Sequence, residues 1–508
     1  MRGALLVTGT HSDAGKSVVT TGICRWLARQ GVRVAPFKAQ NMALNSVVAR
    51  DGSEIGRAQA AQAAACGLET EAAMNPVLIK PSGPRHSQIV VMGRPYADVD
   101  ARSYQHLKDE LRPIVAAALE ELRARFDVVV CEGAGSPAEI NLRHADLTNM
   151  GLATAHGLPT LVVGDIDRGG VMASLFGTLA LLDRDDQAHV AAFLVNKFRG
   201  DETILAPGLA QLERMTGRPT LGVLPHVEDL WMDVEDSLAL EAPRPEAPAL
   251  ADSLDVAVVR LRWMSNFTDL DALAAEPGVR VRFTRSAADL ERADLVVIPG
   301  TKATVEDLAR LREHGLDRVL AARAAAGQPI LGICGGYQLL GETIEDGVES
   351  RRGTVPGLGL LPVATAFRPD KLLRRRDGAC AWLGTPAAGY EIRHGRVVRR
   401  GGEPLLRDAG DGEQDGCRVG ATLGTSWHGA LEHDAFRGAL LRQVAALRGR
   451  DFRPGPTGFQ AAREARLDVL GDLIEQHVDT AALAALIRGG RPAGLPTVET
   501  EVRPCSVS

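Results

Sequence analysis

Short runs of consecutive apolar, mostly β-branched residues recur along the first half of the chain, at Ala4–Thr8, Val32–Phe37, Phe126–Cys131, Leu161–Gly164 and Val190–Asn196. Runs that are apolar throughout, rather than alternating, predict strands buried on both faces of a parallel sheet. Ala-rich stretches of helical length lie between them, such as Gly56–Cys66 and Leu111–Arg125. That alternation predicts a doubly wound α/β domain over residues 1–240. A Pro-rich stretch follows, and residues 241–253 read as a semi-rigid linker. A second α/β pattern then runs through Asp255–Leu261, Val279–Phe283, Leu295–Pro299 and Pro329–Cys334, predicting a second doubly wound domain over 254–448. Residues 449–508 read as a helical segment with a disordered tail. Within it Leu467, Leu470, Ile474 and Val478 share one stripe of a helix or helix pair.

Length agrees with this division, because 508 residues exceed what one ordinary core accommodates. Apolar content of 45% with 24% charged residues describes a soluble globular chain. No apolar run is long enough to cross a membrane, and Met1-Arg2-Gly3 leads straight into the first strand without a signal sequence. Cytoplasmic localisation is therefore expected. A net charge of −6 argues against a nucleic-acid partner held by its phosphates. The seven Cys form no C-x-x-C pair, which leaves no zinc or disulfide framework to propose. Only seven of the 58 basic residues are Lys, namely Lys16, Lys38, Lys80, Lys108, Lys197, Lys302 and Lys371. Where Arg has taken over the surface, a retained Lys can mark a place that needs a compact ammonium on a flexible stem.

The first strand runs into Thr8-Gly9-Thr10-His11-Ser12-Asp13-Ala14-Gly15-Lys16-Ser17, and a helix follows. Backbone N–H groups around Gly9, Thr10 and Gly15 can cradle a polyphosphate such as that of ATP. Lys16 would reach the outer phosphates and Ser17 would hold Mg²⁺. Glu132 ends a later buried strand, where a carboxylate can serve the same cation. Lys38, just past the second strand, can neutralise charge on a transferring phosphoryl group. Five residues rather than four separate Gly9 from Gly15. In this the loop resembles that of dethiobiotin synthetase and its relatives, which activate carboxylates with ATP.

The segment Pro329-Ile330-Leu331-Gly332-Ile333-Cys334-Gly335-Gly336-Tyr337-Gln338 carries an apolar strand into a Gly-flanked turn and then a helix. This is the geometry of a nucleophile elbow, with a thiol in place of a hydroxyl. Cys334 is the candidate nucleophile, and His428 in Ser426-Trp427-His428-Gly429 is its candidate base. Gly335 at the helix start, with Gly300 in the turn Ile298-Pro299-Gly300-Thr301, can supply oxyanion-hole donors. This half resembles the class I glutamine amidotransferases, in which a Cys-His pair hydrolyses glutamine through a thioester. Those enzymes usually carry an acid two residues after the His, where this chain has Ala430; Glu432 follows at four. A bare dyad and a triad both stand open at this point.

An ATP-dependent carboxylate activator fused to an ammonia generator implies amide synthesis. Several segments carry a resemblance to the cobyric acid synthase family over nearly the whole chain. They include Phe37-Lys38-Ala39-Gln40-Asn41-Met42-Ala43-Leu44-Asn45-Ser46, Asn75-Pro76-Val77-Leu78-Ile79-Lys80-Pro81, Glu132-Gly133-Ala134-Gly135-Ser136-Pro137 and Val195-Asn196-Lys197-Phe198-Arg199-Gly200. The resemblance implies amidation of the b, d, e and g carboxylates of adenosyl-cobyrinic a,c-diamide, with glutamine, ATP and Mg²⁺. It also implies a large anionic corrinoid substrate, which the run Arg374-Arg375-Arg376 can help receive. The cobyrinic acid a,c-diamide synthases share both chemistries and are the alternative. A partitioning-type ATPase switch would leave Cys334 and His428 without purpose.

Overall fold

A computed structural model describes residues 1–82, 86–227 and 253–499. The expected linker, apart from Ser253, lies outside the described residues, as does the end of the expected disordered tail from residue 500.

The first sheet is parallel, in the order Thr220–Pro225, Val190–Phe198, Thr160–Asp165, Gly3–Gly9, Val128–Glu132, Val34–Phe37. Successive strand residues point to opposite faces. Leu5, Val7, Val130 and Val163 pack against Val19, Ile23 and Leu27 of the helix Lys16–Arg29, while Leu6, Val129 and Val162 join Leu119, Leu122 and Leu175 on the other side. Both faces are therefore dry, which explains why the strands read as unbroken apolar runs. The strand order reverses around Gly3–Gly9, so the phosphate loop leaves the sheet where an α/β fold opens its binding crevice.

The second sheet runs Val279–Thr284, Leu254–Val259, Leu295–Ile298, Ile330–Ile333, Thr422–Thr425, Cys417–Val419, with only the last pair antiparallel. The two doubly wound α/β sheets are as expected. The helix pair is also found, as Phe459–His477 and Thr480–Gly489. It does not stand apart as a tail. Leu470, Leu473 and Ile474 pack into the core of the first sheet, and a Cβ on Gly22 would meet the Leu470 carbonyl oxygen at 2.7 Å. Arg25 and Arg29 clamp the crossing through Asp468 at 2.8 Å and Asp472 at 2.6 Å. Among the described residues no helix is long and apolar enough to cross a membrane.

Two features escape the sequence pattern. A small sheet, Gln40–Met42, Val77–Pro81, Ser87–Val91 and Arg94–Val99, is inserted into the first half. A long antiparallel ribbon, Val363–Cys380 with Thr385–Arg399, extends from the second half onto the first. Its Tyr390 and Ile392 are buried in the core of the first half. Its Lys371 meets Glu54 at 2.5 Å, and Glu54 also accepts from Lys80 at 2.5 Å and from Ser46 at 2.8 Å.

Glu54 is fully buried. Burial alone would raise its carboxyl, but the ammonium groups of Lys371 and Lys80 outweigh it and hold the group well below the usual carboxylate range. Glu54→Gln leaves the buried Lys80 facing a neutral amide, while Lys371, which burial already pushes down to about 7, can shed its proton, so we expect a loss of about 3 kcal/mol of stability. The contribution is present above the ordinary carboxylate range and fades as pH falls below it. Denaturant unfolding at pH 7 checks this; superimposable curves for the two proteins would reduce Glu54 to a spectator.

Candidate functional site

Two clusters of functional side chains form, one at the carboxyl end of each sheet. In the first, Gly15 adopts φ +105°, and a Cβ there would lie 1.9 Å from the Asn196 amide nitrogen, so only glycine closes the loop. Thr10 is tied to the neighbouring strand by its N–H to the Val163 carbonyl, 3.0 Å. Lys16 curls over the loop and donates to the carbonyls of His11 and Gly135, each at 3.0 Å. Gly9 lets it do so, since a Cβ there would sit 3.0 Å from Lys16 Cγ.

Ser17, the second helical residue, donates to Glu132 Oε1 at 2.8 Å. Lys38 reaches the same oxygen at 2.8 Å, and Gln62 donates to the other. Burial alone would raise the Glu132 carboxyl, but Lys38 outweighs it and holds the group ionised. A serine hydroxyl beside an ionised carboxylate, at the edge of a phosphate loop, is a hard oxygen donor set that fits Mg²⁺. The sequence reading thus brings Gly9, Thr10, Gly15, Lys16, Ser17, Lys38 and Glu132 to one place. It missed Gln62, an amide further along the Ala-rich helix Arg57–Ala65. It also gave no role to Lys197, which holds φ +63° while bonding Asp165 Oδ2 at 2.7 Å and the Asp13 carbonyl at 2.8 Å.

In the second cluster, Cys334 and His428 leave the ends of adjacent parallel strands, in register at Ile333 and Thr425. Adjacency in the sheet is what joins residues so far apart in sequence. Cys334 sits at φ +50°, ψ −106°, a strained turn that lifts its thiol from the strand end. The flanking glycines are obligatory: a Cβ on Gly336 would lie 1.9 Å from the Ile298 carbonyl oxygen. Gly335 packs on the backbone of Thr301, and a Cβ on Gly300 would lie 3.0 Å from His428 Cε1. Both expected oxyanion segments therefore border the Cys-His pair.

Where the sequence left dyad and triad open, Asp269 places a carboxylate against His428. Its Oδ2 lies 2.7 Å from His428 Nδ1, and its Oδ1 accepts from the Gly429 N–H at 2.7 Å. Burial alone would lower the imidazole, but Asp269 first and Cys334 second outweigh it and raise His428 to about 10. Tyr390 stacks on the ring, with centroids 5.6 Å apart. Glu432, the acid considered from sequence, pairs instead with Arg57 at 2.6 Å. Arg57 opens the same helix whose Gln62 contacts Glu132, so one short helix runs from the first cluster to the turn Ala430–Glu432 that follows His428. The run Arg374–Arg376 is not a free basic patch. Arg376 is buried against Glu391 at 2.6 Å and Glu413 at 2.7 Å, and Arg374 and Arg375 pair with Glu413 and Glu69.

Two family matches divide the chain between the same two sites. Residues 5–239 match the CobQ/CobB/MinD/ParA nucleotide binding domain family, and residues 255–436 match the CobB/CobQ-like glutamine amidotransferase domain. A crystal structure of a glutamine amidotransferase aligns over 38% of this chain and 98% of its own length, at 25% identity and a TM-score of 0.31. The cobyric acid synthase of Frankia casuarinae is 59% identical over 98% of this chain and 99% of its own. That of Streptomyces coelicolor is 59% identical with the same coverage. With both matches running the length of the chain and both clusters in place, the chain belongs to the cobyric acid synthase family.

Proposed function

We propose that this chain amidates the b, d, e and g carboxylates of adenosyl-cobyrinic a,c-diamide, consuming ATP and glutamine at each. Full-length identity to proteins named cobyric acid synthase carries the reading. In the second cluster, the Cys334 thiolate attacks the side-chain carbonyl of glutamine. Backbone N–H groups around Gly300 and Gly335 face the oxyanion that forms. The His428 imidazolium, held by Asp269, gives its proton to the leaving nitrogen, so ammonia departs and a thioester remains. Water, activated by the now neutral His428, releases glutamate and returns the thiolate.

In the first cluster, the loop from Gly9 to Gly15 cradles the ATP phosphates, and Lys16 leaves its carbonyl partners for the outer phosphate oxygens. Mg²⁺, held by Ser17 and Glu132, would neutralise charge on the polyphosphate. A corrinoid carboxylate oxygen attacks the outer phosphorus, forming an acyl phosphate and ADP. Lys38 offsets the negative charge of that step. Ammonia then adds to the acyl carbon, phosphate leaves, and the amide results.

Mass spectrometry of the corrinoid after incubation with a,c-diamide, glutamine, ATP and Mg²⁺ tests this. We expect successive amidations to end at the tetra-amidated product. An enzyme that leaves the a,c-diamide untouched but amidates cobyrinic acid twice belongs to the a,c-diamide synthases instead.

A further inference from the structure

Lys108, on the long helix Ala101–Arg125, is used by none of the steps above. It is 8% exposed, yet among the described residues it has no carboxylate at ion-pair distance; its Nζ lies over the Tyr104 ring, 5.5 Å from the centroid. Burial pushes the ammonium below its ordinary value, and Asp146 opposes that only from a distance. Asp146 is itself committed elsewhere. Its oxygens accept the N–H groups of Thr148 at 2.8 Å, Asn149 at 3.0 Å and Gly151 at 2.8 Å. A buried cation with no counter-charge is costly, and a cation–π contact offsets only part of that cost. The cost is recovered where an anion arrives.

Its surroundings say which anion. On one side, Tyr104 donates to Gln40, two residues past the Lys38 that meets Glu132. On the other, Asn149, next to the turn capped by Asp146, donates to the Ala134 carbonyl at 2.6 Å and accepts from Thr8 at 3.0 Å, fixing the turn beyond Glu132. The helix that carries Lys108 thus touches the segment after Lys38 through Tyr104 and packs against the turn Ile140–Ala145 beyond Glu132. These segments also present apolar side chains to solvent: Met42 is 53% exposed, Ile140 55% and Leu142 38%. Polyphosphate already has the loop amides and Lys16. A second cation beside exposed apolar residues suits a ligand that is both broadly apolar and carboxylated.

We propose that Lys108 binds a carboxylate arm of the corrinoid and positions the macrocycle, over Met42, Ile140 and Leu142, for transfer at the ATP cluster. The inference rests on the proposed corrinoid amidation. Its test is Lys108→Met, which keeps the packed stem and removes the charge. We expect the KM for a,c-diamide to rise about 10-fold or more, as loss of a charged hydrogen bond predicts. Equilibrium binding of a,c-diamide without ATP should weaken by a similar factor. KM for ATP and glutaminase activity should stay at the wild-type value, and thermal stability should hold or rise because an unpaired buried charge is gone. Lys108→Gln takes the same readings if the Met variant does not fold. A rise in KM for ATP alone would make the group a phosphate ligand and overturn the proposal. Unchanged constants for both substrates would make Lys108 structural and overturn it too. A wild-type enzyme that fails to amidate a,c-diamide at all would instead overturn the proposed function.

Discussion

Cys334→Ala is expected to abolish glutamine-dependent amidation, by about 10⁴-fold or more, while amidation driven by ammonium salts stays near the wild-type rate. The thiol is the only atom in the second cluster able to form the thioester. His428 and Asp269 without it have nothing to deprotonate or to orient. The first cluster never uses that thiol, and its loop, Lys16, Ser17 and Glu132 are anchored to a different sheet. Alanine also fits the turn sterically, since it keeps the Cβ that Cys334 already carries and removes only Sγ, while the tight backbone approaches beside it are at Gly332 and Gly336. The assay is amide formation from a,c-diamide and ATP with either nitrogen source. Full glutamine-dependent turnover in the variant would sink the amidotransferase reading. Loss of both activities in a folded variant would place the dependence in the contacts between the halves, chiefly Arg57 with Glu432 and Lys371 with Glu54.

What the sequence disclosed follows from how locally each feature is encoded. The phosphate loop and the Cys334 elbow are each built from one strand, one turn and one helix start, so their glycines and reactive residues stand together in the chain. His428 was legible only through its local setting, Ser426-Trp427-His428-Gly429; the pairing of its strand with the one before Cys334 was not. Asp269 was not: it lies 159 residues from His428, in a short 3₁₀ turn that no periodicity marks. The ribbon Val363–Cys380 was hidden for another reason. Its middle, Leu372-Leu373-Arg374-Arg375-Arg376-Asp377, breaks the alternation expected of a strand because Arg376 is itself buried in an ion network. The scarcity of Lys proved informative. Lys16, Lys38, Lys80, Lys108 and Lys302 are all less than 10% exposed, which is rare for that residue and marks each as holding a defined place.

Asp269→Asn is expected to cut glutaminase activity by about 10³- to 10⁴-fold while leaving ammonium-dependent amidation intact, by the logic of a Ser-His-Asp triad. The asparagine keeps the size of the side chain, and its oxygen can still accept the Gly429 N–H that Asp269 Oδ1 accepts at 2.7 Å. What changes is the group facing His428 Nδ1. A carboxylate there fixes the ring with its proton on Nδ1 and favours the imidazolium; an amide NH₂ in its place favours the opposite tautomer, and a neutral oxygen offers no charge. His428 is raised from 6.5 to about 10 against the pull of burial, with Asp269 the larger cause. A raised histidine contributes stability that is complete below its unfolded value and is lost as pH climbs through its folded one. Wild type should therefore exceed Asp269→Asn in thermal stability below about pH 6.5, and the gap should close as the pH climbs through about 10. Differential scanning of both proteins across that range, with glutaminase rates measured alongside, decides the matter. A stability gap that stays constant with pH, or a glutaminase rate within a few-fold of wild type, would remove Asp269 from the triad and return the site to a Cys-His pair.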